Sequence, residues 1–283
     1  MLDLMIPPIV AALVILSIHA YLGLHVIGRE VIFVDLAFAQ IAALGTTVAL
    51  MFGVAPGTTM SLLFAFGFTM LGALLFSFTR MDESIVPQEA VIGIAYVVAS
   101  AAVILLASLT AEGSEHLQET LTGTLLWVDW PVIVRLAGAY ALIGAFHYVF
   151  RRRFLALTFK QDGVRNVRLW DFVFYLTFGM VISLSVEVAG VLMVFSALVI
   201  PAVIAFLYTN RFGLALVIAW ASGTVATVGG IGASFYWDLA TGPLLVCAFG
   251  ATLVLAGLLR SILGIRPGRE IEVKGLTESD PAS

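Results

Sequence analysis

Apolar runs of about twenty residues recur along this chain, and few folds are open to a chain built that way. They cover roughly 5–27, 32–53, 58–79, 90–109, 131–150, 170–186, 188–208, 213–235 and 240–262. About 20 helical residues cross ~30 Å of hydrocarbon, so each run can span a bilayer once. Backbone groups in lipid have no water to bond, which leaves helices or closed barrels, and the runs show no strand-like alternation. The expected fold is therefore all-α: a polytopic helical membrane protein with about nine transmembrane helices. Eight would result if the run from Trp170 to Tyr208 were one element; it is interrupted mainly by Asp171 and Glu187 and divides near Glu187. Residues 1–263 read as a transmembrane domain, and 264–283 as a polar, disordered cytoplasmic tail.

Charge gives these spans a direction. Of fourteen Lys and Arg residues, all but Arg135 fall in alternate connections: Arg29, Arg80, the group from Arg151 to Arg168, Arg211, and the segment from Arg260 to Lys274. Cytoplasmic loops carry the Lys and Arg excess, so the N-terminus is expected outside and the C-terminus inside, in a bacterial-type plasma membrane.

Other classes fall away. With 61% hydrophobic and 11% charged residues, the chain is far from the ~25% charge of soluble domains. A net charge of −4 names no partner, and no basic patch outside those connections suggests nucleic acid. The opening MLDLMIPP lacks a positive n-region, so the first run reads as a span rather than a signal peptide. The lone Cys247 excludes an internal disulfide and a multi-cysteine zinc site. H-E-x-x-H, G-x-S-x-G and G-x-x-x-x-G-K-[ST] are all absent from the sequence. The chain is not expected to be an enzyme, and ATP hydrolysis, if it drives the protein, must come from another subunit.

Ionisable groups inside a membrane are costly and are candidates for function. Here they are His19, Asp35, His147, Asp171 and Glu187, with Glu89 at the mouth of span four. His147 and Asp171 lie near the basic segment, where pairing or snorkelling explains them. Gln40 is about 14 Å into span two, near the midplane, where an amide serves as helix–helix glue or as part of a substrate path.

Several stretches, in order, resemble the membrane permease of zinc-, manganese- and iron-type metal ABC importers. They are HVIGREVIFVDLAFAQIAALG (25–45), QEAVIGIAY (88–96), LTGTLLWV (121–128), FKQDGVRNVRL (159–169, with Arg168 where a Gly is expected), VEVAGVLMVFSALVIPAVIAF (186–206) and GASFYWDLATGPLLV (232–246). The resemblance implies a permease that forms its pathway as a homodimer in the lipid bilayer. It also implies a separate ABC ATPase on the cytoplasmic side and an extracytoplasmic metal-binding receptor. The divalent metal would be cargo, with no tightly bound cofactor. The 151–169 segment is the expected ATPase docking element, with Phe159, Lys160, Asp162 and Arg165 as coupling residues. The expected pathway runs past Glu187, Asp35, Gln40 and Glu89.

One departure bears on cargo. The family carries Asp-x-x-x-His in span two; Gln40 stands at the His position, and Asp35 precedes it by five residues rather than four. Five residues put two side chains about 140° apart on a helix, so Asp35 and Gln40 do not share a face. An amide oxygen also suits harder ions than imidazole does. Asp35 and Gln40 are the candidate metal ligands, with His19 of span one as a compensating one. A metal chelate or small organic solute is the alternative cargo. An ion-coupled secondary carrier and an intramembrane hydrolase are weaker rivals, because the chain shows no internal repeat and no recognised catalytic pair.

Overall fold

The computed structural model describes residues 2–79, 86–109, 120–159 and 165–265. Lys160, Asp162 and the tail from 266 onward lie outside the described residues. The helices are α1 (Leu2–Gly28), α2 (Val34–Met51), α3 (Thr59–Thr79), α4 (Gln88–Ala107), α5 (Trp130–Val149), α6 (Arg151–Thr158), α7 (Val167–Tyr208), α8 (Phe212–Trp237) and α9 (Thr241–Leu263). Among the described residues there is no strand, and eight of these helices are long and apolar enough to cross a membrane.

The eight helices make nine crossings, because α7 doubles back. Its 42 residues would reach about 63 Å if straight, twice what one crossing needs. Yet both of its ends lie at the level of His25. The ring of Phe174, near the start, is 5.8 Å from the His25 ring, and that of Phe212, just past the end, is 5.3 Å from it. The reversal is at Gly190, with φ 74° and ψ 158°, a backbone region essentially reserved for glycine. The break expected near Glu187 thus falls three residues later, at the one residue able to adopt the geometry. The two ends of the described chain consequently lie on opposite faces.

Following each crossing places Arg29, Arg151, Arg152, Arg153, Arg165, Arg168, Arg211 and Arg260 at one end of the bundle, here called the basic face. Arg135, in the second turn of α5, lies toward the other.

α1 and the two arms of α7 form the centre, with α2 and α3 on one side and α8 and α9 on the other. Close approach supplies the cohesion that lipid cannot. The α1 backbone at Gly23 lies directly against the Leu198 carbonyl, and Gly45 of α2 sits against Ala65 of α3. Phe38, Phe76, Tyr175 and Phe178 interlock where α2, α3 and α7 meet.

Between α4 and α5, the described segment 120–128 forms a helical turn at 120–122, then Gly123 and a 3-10 turn at Leu125–Trp127. It docks on the α7 reversal: the Thr124 N–H donates to the Val188 carbonyl at 3.0 Å. Gly123, with φ 72°, faces Gly190 so closely that a Cβ on Gly190 would lie 2.5 Å from the Gly123 nitrogen.

Candidate translocation site

A cavity of about 280 Å³ opens between α2, α3, the first arm of α7 and the 120–124 segment, toward the end opposite the basic face. Its polar lining is Thr46, Ser61, Thr120, Thr124, Ser183 and Glu187, with Ala42, Ala43 and Ala65 among its apolar walls. Among the described residues, Glu187 is the only titratable side chain lining it. Ser183 is fixed by donating to the Gly179 carbonyl at 2.8 Å and by a 3.0 Å hydrogen bond with Thr69. The small residues 42, 43, 57 and 65 leave the space open. A short carboxylate, several hydroxyls and an apolar floor attract a cation or a polar solute without holding it fast, as transport requires.

The expected pathway residues distribute along α2 and its neighbours. At about 100° per residue, Ala42 and Thr46 each lie within roughly 20° of Asp35 on α2. Asp35 thus continues the pocket-lining face toward the basic end, whereas Gln40 is well off it. Asp35 is buried and its carboxylate accepts the Leu36 N–H at 2.8 Å. Glu89, at the start of α4, accepts the Phe33 N–H at 3.4 Å, so Asp35 and Glu89 share the basic end of the α2–α4 pair. Gln40 is 9% exposed and lies one turn from Ala43 of the pocket wall. Among the described residues no three His, Cys, Asp or Glu side chains are grouped so as to hold a metal ion.

His19 is not brought to Gln40. It is on α1, with α7 packed between α1 and α2. Its ring sits beside Tyr140, 6.3 Å between centroids, and its Nδ1–H donates to the Ile15 carbonyl at 2.7 Å. Tyr140 in turn bonds Ser185 of α7 at 2.5 Å.

A second polar cluster lies beneath the pocket, toward the basic face. Arg29 donates to Asp171 at 2.8 Å and to Thr158 at 3.2 Å, and lies 3.8 Å over the Phe174 ring. Thr158 also bonds His25 at 2.6 Å. His147 stacks on Phe154 at 4.2 Å and bonds Thr177 at 2.8 Å. The Arg29–Asp171 pair is almost wholly buried, with 3% and 1% of the side chains exposed. This cluster ties α6, a helix inside the 151–169 segment, to α1 and α7. Phe159 completes the junction, packing on Gly28 and on the Phe212 ring at 6.1 Å. Arg165 is exposed just before α7.

Sequence reasoning singled out Glu187, Asp35 and Glu89 by their charge, and of these Glu187 lines the cavity. It missed the pocket hydroxyls, whose only signal was Ser and Thr within otherwise apolar spans. It also missed the Arg29–Thr158 contact, since pairing between residues so distant in sequence needs the fold.

Comparison with known proteins identifies this arrangement. The sequence model of the ABC 3 transport family matches residues 1–260. The chain belongs to the ABC 3 transport family. Among curated relatives, a probable iron transport system membrane protein of Haemophilus influenzae is 25% identical over 146 residues. That match covers 50% of this chain but only 54% of the relative. The manganese transport system membrane protein MntC of Listeria monocytogenes is 25% identical over 214 residues, covering 73% of this chain and 74% of the relative. Among solved structures, PsaBC from Streptococcus pneumoniae superposes with a TM-score of 0.73 at 20% identity, covering 88% of this chain and 89% of that one. An inward-facing ABC transporter described as metal-chelate type gives 0.61 at 20% identity, with 92% and 85% covered. Family and fold agree: this is a multi-span membrane permease of the ABC transporter class.

Proposed function

We propose that this chain is the translocation subunit of an ATP-binding cassette importer whose cargo is a divalent metal ion. Two copies would form the pathway. A separate ATPase would dock on the basic face, and an extracytoplasmic receptor would deliver cargo to the opposite one. The observation that carries the reading is the pocket at Glu187, opening away from the arginines within a fold of this family. Iron and manganese in the names of relatives support a metal, and the positive-inside rule supports a cytoplasmic basic face. The cargo would enter beside Glu187, follow the α2 face through Thr46 and Ala42, and leave past Asp35 and Glu89. Nucleotide-driven movement of α6 would reach α1 and α7 through Thr158 and the Arg29–Asp171 pair.

A metal chelate is the second reading, favoured by two observations: Gln40 stands where the family carries His, and no three-ligand cluster is found among the described residues. A chelated ion needs hydroxyls and one carboxylate more than it needs a coordination shell.

The test is uptake into proteoliposomes holding this chain with its co-expressed ATPase and receptor. ATP-dependent accumulation of free manganese, iron or zinc supports the ion reading; accumulation only of a chelated form supports the second. Uptake that proceeds without ATPase would overturn both in favour of a secondary carrier.

A further inference from the structure

The molecule carries a second cavity unconnected with the cargo pocket. A groove of about 520 Å³ runs between α5 and α8 with α1 as its floor. Tyr140, Gly144 and Tyr148 line it from α5, Leu216 and Trp220 from α8, and Tyr21 from α1. The floor is fixed, since Trp220 Nε1 donates to the Ser17 carbonyl at 2.9 Å. The groove opens between helices whose outer faces are apolar and exposed: Leu142 is 74% and Val217 57% exposed.

Its basic end carries charge. Arg151 lines the groove and also, with Arg152 and Arg153, an adjoining cavity of about 450 Å³ at the start of α6. Arg151 is held over the Tyr148 ring at 4.5 Å, and Arg153 over Trp170 at 4.6 Å. Among the described residues none of the three makes an ion pair with a carboxylate. They also occupy the first turn of a helix, where the macrodipole disfavours cations and favours an anion. From Tyr140 to Val149, where α5 ends just before Arg151, is about 14 Å along the helix axis, close to half of the ~30 Å hydrocarbon core. The groove therefore spans a single leaflet, apolar toward the midplane and cationic at the interface.

We infer that this groove binds one anionic phospholipid per chain, its acyl chain lying along Tyr140–Tyr148 and its phosphate at Arg151–Arg153. Aromatic residues at the interface and arginines facing acidic headgroups are the two features such a lipid recognises. The inference is independent of what the permease carries.

The test is native mass spectrometry of the full-length chain in detergent, titrated separately with phosphatidylglycerol and phosphatidylcholine. The expected result is one retained phosphatidylglycerol per chain, bound at least tenfold more tightly than phosphatidylcholine. Each arginine near an acidic surface contributes roughly fivefold, so R151Q/R152Q/R153Q lowers phosphatidylglycerol affinity by roughly a hundredfold. Gly144 lines the groove and has nothing within 4 Å of a built Cβ, so G144L places its side chain in the groove and removes the retained lipid. Gly229, further along α8 and equally unobstructed, supplies the control, and G229L retains the lipid. Equal binding of both lipids, or a G144L chain that binds as wild type does, overturns the proposal. Loss of the lipid when the same titration is made on the assembled transporter would assign the surface to the ATPase and overturn it as well.

Discussion

Replacing Gly190 by Ala tests the reversal on which the count of crossings depends. The residue sits at φ 74°, ψ 158°, where a non-glycine residue costs about 1–3 kcal/mol in backbone strain. An added Cβ would also lie 2.5 Å from the Gly123 nitrogen and the Thr122 carbonyl carbon. These are backbone atoms that no side-chain rotation can clear. Overpacking of this kind costs a further ~1–3 kcal/mol. The total, about 2–6 kcal/mol, is a large share of a typical folding free energy. For a domain of this size it corresponds to a loss of roughly 5–20 °C in Tm. Thermal unfolding of the purified chain in detergent, followed by fluorescence-detected gel filtration, reads this directly. Gly229→Ala is the control: its Cβ would meet nothing within 4 Å, and it should leave Tm unchanged or raise it slightly. A Gly190→Ala chain that melts within about 2 °C of wild type would refute both the hairpin at this residue and the docking of Gly123 upon it.

Other substitutions probe the two polar sites. Asp171→Asn leaves Arg29 buried without its counter-ion and should cost about 3–5 kcal/mol, seen as a lower Tm and reduced yield. The double change Arg29→Met with Asp171→Leu should recover most of that loss, and a double mutant no better than the single would argue against the pair. Glu187→Gln removes the only carboxylate that lines the pocket among the described residues. It should raise the half-saturating cargo concentration in uptake assays by roughly tenfold, about 1.4 kcal/mol, while Tm stays near wild type; unchanged uptake would place the path elsewhere. Tyr140→Phe should cost only about 0.6 kcal/mol, in line with single hydrogen bonds between helices in membranes.

What the sequence revealed, and what it did not, follows from the range of the interactions. Span lengths and the alternation of arginines are local signals, and they led to an all-helical bundle with nine crossings and most of the basic residues at one end. The hairpin position was three residues off, because the charge at Glu187 marks the interruption of the apolar run while Gly190 supplies the backbone freedom. α6 was read only as part of a basic loop; its helix is held by Phe154 on His147 and Thr158 on His25, contacts with partners on α5 and α1 that no local pattern discloses. On α2 the helical period already separated Asp35 from Gln40. Only the packed fold shows that the cavity lies on the Asp35 side of the helix. His19 looked like a substitute for the family histidine because both are in apolar spans, and the intervening α7 removes that possibility.

The most direct test of the proposed role is cell-associated metal, measured by elemental mass spectrometry in metal-limited cells. The comparison is between an intact locus, a deletion of this gene, and the deletion complemented with the wild-type chain or with Glu187→Gln. The account predicts a deficit confined to one divalent metal, restored by the wild type and only partly by the variant. Unchanged zinc, manganese, iron, cobalt and nickel in the deletion strain would contradict it.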